Sequence, residues 1–216
     1  MIDYGMSLLL NSILVVLAGV EDDVIRDKAT DLGRVAETDR EKEHYVSVIR
    51  KLRFVDYCRT RLIELNRVCN DDNAWLMEFY FTSGIYLCVA LLDSLACLIG
   101  DLFLGRIDER DCAFNKSRFF DHDSLPDGIK LILSDEKKGL NDLYELRREL
   151  IHRSARAVIP AGQEPGGEVE SFVVFEERFT DAIGKKPTEI IEFFDIRFEL
   201  CRRMFVNIAT IILDKR

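Results

Sequence analysis

The stretch from Ala74 to Leu104 is apolar on nearly every side when it is wound into a helix. A helix without a polar face is typical of the centre of a helical bundle, where neighbouring helices surround it. Three acidic residues, Glu78, Asp93 and Asp101, interrupt the stretch, and they disfavour a membrane span. We therefore expect this segment to be the central helix of a bundle.

Helical patterns also lie on both sides of the central stretch, and breakers are few, with 12 Gly and 4 Pro in 216 residues. The segment from Glu21 to Asn70 is charge-rich with apolar residues at helical intervals, which predicts one long amphipathic helix. Pro126 predicts another helix start, because proline at the first turn loses no hydrogen bond. Ser134 predicts the N-cap of the next helix, which would run from Asp135 to about Ser154.

A short β-prone insert precedes the last helix. The runs Ala157–Ile159 and Val169–Phe175 flank a Gly/Pro-rich turn, which predicts a β-hairpin at about 156–175. Pro187 then opens a last helix that extends to about Asp214. We predict an all-α, up-and-down helical bundle with a short β-hairpin insert before the last helix.

The N-terminal run from Met6 to Val20 is strongly apolar. It has no preceding Lys or Arg, and Asp3 stands where a signal peptide would be basic. Its length of about 15 residues is less than the roughly 18–20 that span a bilayer. We expect a buried first helix rather than a membrane anchor. Residues 1–72 would then form N-terminal helices that pack on the bundle of residues 73–216.

Charge is distributed unevenly along the chain. The total of 39 Asp and Glu against 30 Lys and Arg gives a formal charge of −9, which speaks against non-specific coating of nucleic acid. However, Arg147–Arg156 contains four Arg and one Glu, and Val46–Cys69 contains six basic and two acidic residues. If these segments adjoin, they form a cationic cleft for a phosphate backbone.

Common catalytic and metal-binding motifs are missing from the sequence. The six cysteines form no CxxC pair and no metal-finger spacing, so we expect reduced thiols in a cytoplasmic protein and no metal site. The sequence contains no GxGxxG, GxxxxGK[ST], HExxH or GxSxG. One of the three histidines, His122, lies between two aspartates in what we expect to be a solvated loop.

The sequence LRRELIHR places Arg147 and His152 in an Arg-x4-His arrangement at the end of a helical pattern. This context resembles the HEPN superfamily (higher eukaryotes and prokaryotes nucleotide-binding domain), whose members are helical bundles with such a motif near the end of a core helix. The resemblance covers roughly Ala74–Asp214. It includes the apolar helix with Asp93 and Ser94 in its middle, the irregular connection and the motif helix.

The resemblance implies a metal-independent endoribonuclease without a cofactor, with Arg147 and His152 as the catalytic pair. It also implies RNA as the substrate and a homodimer in which two motifs face each other to form one composite site. Many members belong to toxin–antitoxin or phage-defence systems, so an antitoxin protein is a possible partner; no membrane is expected. The further candidates are the supporting residues Asp93 and Arg148 and the RNA-binding residues Arg153 and Arg156.

Two positions depart from the family pattern. Many members have Asn, Asp or His after the motif arginine, where this chain has Arg148. Some toxin members carry a tyrosine two residues after the histidine, which an antitoxin modifies; here that residue is Ser154. The alternative function is therefore a non-catalytic HEPN-like helical module that binds nucleotide, RNA or a protein partner.

The chemistry of the pair suits RNA cleavage, but its spacing needs an explanation. Histidine titrates near neutral pH and suits proton transfer at the 2′-OH, while arginine offers a fork of donors to phosphate oxygens. In an ideal helix Arg147 and His152 point about 140° apart. Either the helix loosens by His152, or residues from two chains complete the site.

The motif helix also admits a purely structural interpretation, in which its charged residues form a solvated strip of ion pairs. The residues of this strip are Glu145, Arg148, Glu149, His152 and Arg156. Similarly, Asp93 stands among leucines and needs a partner if it is buried. A cationic motif residue is one such partner, and a solvent-facing or kink-capping Asp93 is the alternative.

Overall fold

The computed structural model describes residues 22–67, 73–105, 108–152, 158–160, 171–173 and 188–215. The apolar run Met6–Val20 lies outside these residues. Within them the chain is dominated by seven α-helices, which confirms the all-α class. The helices are α1 (Asp23–Val35), α2 (Asp39–Asn66), α3 (Ala74–Ile99), α4 (Ser117–Phe120), α5 (Asp127–Asp135), α6 (Lys137–His152) and α7 (Ile190–Lys215).

The chain divides into two units. The first unit comprises residues 1–53, 90–137 and 201–216, and the second comprises residues 54–89 and 138–200. Helices α2, α3 and α7 contribute residues to both units, whereas nearly all of α6 belongs to the second. The predicted division into residues 1–72 and 73–216 stays a prediction.

In the first unit, α1 packs on α2 around one buried tyrosine. Tyr45 is 1% exposed, and its hydroxyl donates a hydrogen bond of 2.8 Å to the backbone carbonyl of Ala29. Gly33 makes this close approach possible, since a Cβ at that position would lie 2.8 Å from the Tyr45 ring. The absence of a side chain at Gly33 therefore sets how closely the two helices pack.

In the second unit, aromatic rings join α3 to the start of α7. The ring centroid of Phe81 lies 5.7 Å from that of Phe193 and 6.4 Å from that of Phe194. Gly84 leaves room for this cluster, because a Cβ there would lie 2.3 Å from the Phe194 ring. This core fixes the position of α3 in the unit that also contains α6.

The prediction of one helix from Glu21 to Asn70 is wrong in one respect, because the segment forms two helices that are separated by a break at residues 36–38. A capping box begins α2: the Glu41 backbone N–H donates to Thr38 Oγ1 at 3.2 Å, and the Thr38 N–H donates to Glu41 Oε2 at 3.1 Å. Glu41 is only 4% exposed, so this carboxylate is held in place by the cap. The start signal outweighs the continuous helical periodicity.

The central stretch folds as predicted from its first residue, Ala74, and its end is unusual. After Ile99 the chain forms a π-helical turn, Gly100–Leu104, and then Gly105 adopts a positive φ of 72°, which favours glycine. By length and composition alone, Ala74–Leu104 could cross a membrane, yet 61% of its most apolar window is buried within the protein. A core helix meets the same criterion.

The predicted helix start at Pro126 is confirmed, since α5 begins at the next residue. The predicted N-cap at Ser134 is wrong: α5 continues through Ser134, and the break before α6 falls at Glu136. The Glu136 backbone N–H donates to the carbonyl of Ile132 at 3.0 Å, so the last turn of α5 closes over Ser134. Backbone hydrogen bonding is satisfied there without a serine cap.

Between α6 and α7, the described residues form three short strands. The strand β1 (Val158–Pro160) pairs antiparallel with β2 (Ser171–Val173), which pairs antiparallel with β3 (Thr188–Glu189). Residues 161–170, which connect β1 to β2, lie outside the described residues. The β-hairpin insert at about 156–175 therefore stays a prediction, as does the up-and-down topology.

Candidate functional site

Helix α6 carries the Arg-x4-His motif at its C-terminal end. Leu140, Leu143 and Leu146 are each at most 2% exposed and anchor the helix in the second unit. The α-helix continues through His152, so its backbone does not loosen before that residue. In a helix of this kind Arg147 and His152 leave the axis about 140° apart. Of the two explanations for the spacing, helix loosening by His152 is therefore disfavoured.

Arg147 is half-buried and lies near a tyrosine of α3. Burial raises the pKa of Tyr86, while the positive charge of Arg147 opposes this rise. The guanidinium is thus close enough to the phenol to influence its ionisation. The motif arginine lies beside the central helix of the second unit, where a guanidinium and a phenol can both donate hydrogen bonds to an anionic ligand.

Arg148 has a different environment from its neighbour. It is exposed and forms an ion pair with Glu145, and its Nη2 lies 3.7 Å from Glu149 Oε1. This pair matches part of the predicted surface strip, but Glu149 is only 5% exposed and is not solvated. The Arg148 guanidinium is already bound by Glu145. A supporting role for Arg148 in catalysis stays a prediction.

The remaining motif candidates are described less completely. The backbone places His152 at the last position of α6, and its side chain is outside the described part of the structure. Arg153 and Arg156 lie outside the described residues altogether. Their proposed roles therefore stay predictions.

Asp93 is half-buried on α3 and belongs to the first unit. Burial lowers the pKa of Lys51, and the negative charge of Asp93 opposes this shift. Lys51 is thus one cation that balances this aspartate in the apolar helix. Pairing of Asp93 with a motif residue stays a prediction.

Sequence reasoning missed a polar seam between α2 and α3 in the first unit. Asp101 in the π-helical turn is 7% exposed at its side chain; its Oδ2 lies 2.6 Å from His44 Nδ1 and its Oδ1 lies 2.9 Å from Arg40 Nε. Lys51 Nζ donates to Ser47 Oγ at 2.8 Å and also to Ser94. These contacts explain how polar residues are accommodated in the apolar stretch.

The seam had a detectable signal in the sequence. Arg40, His44, Ser47 and Lys51 recur at intervals of four, three and four residues, which places them on one face of α2. A polar row at these intervals, facing a helix that carries Asp93 and Asp101, indicates interhelical pairing. Their partners, Ser94 on α3 and Asp101 in the π-helical turn, could not be assigned without the fold.

A second arginine in the second unit was also missed. The Arg197 guanidinium lies 3.5 Å from the Phe193 ring centroid, and its Nη1 donates to the Phe193 carbonyl at 2.9 Å. Burial lowers the pKa of Arg197 to about 10, and the negative charge of Asp142 on α6 opposes this shift. Since Asp142 and Arg147 are five residues apart on one helix, they face different directions. Arg197 is therefore a structural cation rather than a motif residue.

Among the described side chains, no group of three His, Cys, Asp or Glu residues is arranged to hold a metal ion. Comparison of the chain with protein-family models, with curated proteins and with solved structures finds no match. The resemblance to the HEPN superfamily therefore rests on the motif residues and their helical context.

Proposed function

We propose that the protein is a metal-independent endoribonuclease of HEPN type, with Arg147 and His152 as its catalytic pair. The observation that carries this proposal is the environment of Arg147, which is half-buried beside Tyr86 at the end of a well-anchored helix. An arginine in a merely solvated strip would resemble the exposed Arg148 instead. Four arginines against one glutamate in residues 147–156 add local positive charge for a phosphate.

The reaction needs one proton acceptor and one cation. His152 takes the proton of a ribose 2′-OH, the 2′-oxygen attacks the adjacent phosphorus, and the bond to the 5′-oxygen breaks. The leaving 5′-oxygen accepts a proton, so the products are a 2′,3′-cyclic phosphate and a 5′-hydroxyl. Arg147 stabilises the negative charge that develops on the non-bridging oxygens of the phosphate.

The angle between the two residues favours a site made by two chains. Because α6 is continuous through His152, Arg147 and His152 of one chain leave the helix axis about 140° apart, which disfavours their convergence on one phosphate. A two-fold homodimer with facing motifs would supply Arg147 from one protomer and His152 from its partner. In a cell, such an enzyme would act in the cytoplasm as a toxin or phage-defence component, with an antitoxin as a possible partner.

The test is cleavage of an end-labelled RNA in the presence of EDTA. We expect cleavage by the wild-type protein with a 2′,3′-cyclic phosphate product, and a loss of about 10²–10⁴-fold for His152→Ala and for Arg147→Ala. His122→Ala and Arg118→Ala are matched controls, because these residues lie in the first unit outside the motif. Equal cleavage by wild type and His152→Ala, or cleavage by neither, would contradict the proposal.

The second candidate function is a non-catalytic helical module that binds nucleotide, RNA or a protein partner. The observation that favours it is the ion pair of Arg148 with Glu145, because the residue after the motif arginine is then not free to orient a catalytic group. Saturable RNA binding by the wild-type protein without any turnover would support this module instead of the enzyme.

A further inference from the structure

The polar seam of the first unit brings a lysine amine next to a cysteine thiol. Lys51 Nζ on α2 donates hydrogen bonds to Ser47 Oγ at 2.8 Å and to Ser94 Oγ on α3. Cys97 follows Ser94 by three residues, so their side chains are neighbours on one face of α3. The contact of Lys51 with Ser94 therefore places the amine about one helical turn from the Cys97 thiol.

The electrostatics of the pair agrees with this placement. Burial lowers the pKa of Lys51, and the negative charges of Asp93 and of the Cys97 thiolate oppose this shift. The Lys51 amine thus loses its proton more readily than an ordinary lysine, and it lies within reach of the charge on Cys97. A lysine that gives up its proton in this way is able to act as a nucleophile.

Among the described cysteines, Cys97 is the one that reaches the surface. It is half-buried, whereas the other four, Cys58, Cys88, Cys112 and Cys201, are buried. The thiolate is the reactive form of a cysteine, and a nearby lysine ammonium favours it. Partial exposure and a cationic neighbour distinguish reactive cysteines from the inert cysteines of a core. Lys51 is also half-buried, so both nucleophiles are accessible from solvent.

We propose that Cys97 and Lys51 form an acylation site, at which an acyl thioester first acylates Cys97 and the acyl group then passes to Lys51. In the first step the Cys97 thiolate attacks the thioester carbonyl, and the thiol of the donor leaves after it takes up a proton. In the second step the neutral Lys51 amine attacks the carbonyl of acyl-Cys97, the carbon–sulfur bond breaks, and the amine releases a proton to solvent. The products are an amide at Lys51, the free thiol of the donor and the restored Cys97 thiolate, and nothing is oxidised or reduced. The second step is favoured because the amine is held beside the thioester.

Acylation of Lys51 would change the polar seam. It converts an ammonium into a neutral amide with one N–H, which donates to only one of Ser47 and Ser94 and no longer balances the charge of Asp93. The contact between α2 and α3 in the first unit should then be weaker. Lys51→Gln, which copies the neutral amide, should therefore lower the Tm more than Lys51→Arg does, and equal Tm values would contradict this consequence.

The probe is acetyl-coenzyme A, incubated with the folded protein at about pH 8 and followed by peptide mass spectrometry. We expect Lys51 to be acetylated about ten-fold or more faster than Lys28, a half-buried lysine of the same unit. Cys97→Ser should lower the Lys51 rate to that of Lys28, whereas Cys112→Ser, which replaces a buried cysteine of the same unit, should not. Lys51→Arg retains the charge but lacks the nucleophilic amine, so the acetyl group should stay on Cys97 as a thioester that hydroxylamine releases.

Equal acetylation rates of Lys51 and Lys28 in the wild-type protein would overturn the proposal. So would an unchanged Lys51 rate in a Cys97→Ser variant that is as helical as wild type by circular dichroism. The Lys51→Arg variant decides the matter if Cys97→Ser does not fold, because the absence of a hydroxylamine-sensitive acetyl group on it would also overturn the proposal. In urea the preference for Lys51 should disappear, since the seam no longer holds the two residues together, and a preference that persists there would contradict a site made by the fold.

Discussion

Replacement of Tyr45 by phenylalanine should change how the stability of the protein depends on alkaline pH. Burial raises the pKa of Tyr45 from its ordinary value of 10.0 to about 12. Its pKa is therefore higher in the folded than in the unfolded state, so its contribution to stability is complete below pH 10 and lost as the pH rises towards about 12. Two pKa units correspond to about 2.7 kcal/mol, half of which would be lost by about pH 11.

The assay is urea unfolding followed by circular dichroism at about pH 8 and about pH 11. At the lower pH, Tyr45→Phe should lose about 1 kcal/mol, because the hydrogen bond to Ala29 is removed. Between the two values wild type should lose about 1.4 kcal/mol more than this variant. Phe54→Leu, which changes an exposed side chain without a titratable group, serves as the control and should keep the wild-type pH dependence. Equal losses in wild type and Tyr45→Phe would refute the reasoning.

Three further predictions concern the second unit. Gly84→Ala should lower the free energy of unfolding in urea by about 1–3 kcal/mol, because the new Cβ meets the Phe194 ring. This loss should exceed the gain from the better helix propensity of alanine, and unchanged stability would contradict the packing. Arg147→Gln should raise the pKa of Tyr86 in a spectrophotometric titration, since the opposing charge is removed, and an unchanged pKa would separate the two residues. Burial raises the pKa of Cys58 to about 11, so Cys58→Ser should leave the number of rapidly reacting thiols unchanged near pH 8 and lower it by one after denaturation.

The sequence predicts the helices best where apolar residues repeat without competition. The start of α3 at Ala74 and the buried leucines of α6 follow directly from their pattern. The break between α1 and α2 does not, because apolar periodicity continues through it. Its signal is local: Thr38 followed three residues later by Glu41, whose side chain is buried in the cap.

Polar groups inside the fold were harder to predict than the apolar core. Asp101 looked like a simple interruption of the central helix, but it binds His44 and Arg40 at a π-helical turn. His44 and Asp101 are 57 positions apart in the sequence, so the pattern of either segment alone does not reveal that they pair. For the candidate site, the sequence suggested the motif, and only the packing distinguishes the half-buried Arg147 from the exposed Arg148.

The central claim is that Arg147 and His152 cleave RNA together from two protomers. The most direct measurement is the cleavage rate in EDTA for wild type, for Arg147→Ala, for His152→Ala and for a refolded equal mixture of both variants. We predict that each variant alone is about 10²-fold or more slower than wild type, and that the mixture regains activity because a mixed dimer retains one complete pair. The catalytic assignment would be contradicted if either variant cleaved RNA at the wild-type rate, or if the wild-type protein were inactive. The shared site would be contradicted if the mixture were as slow as each variant alone.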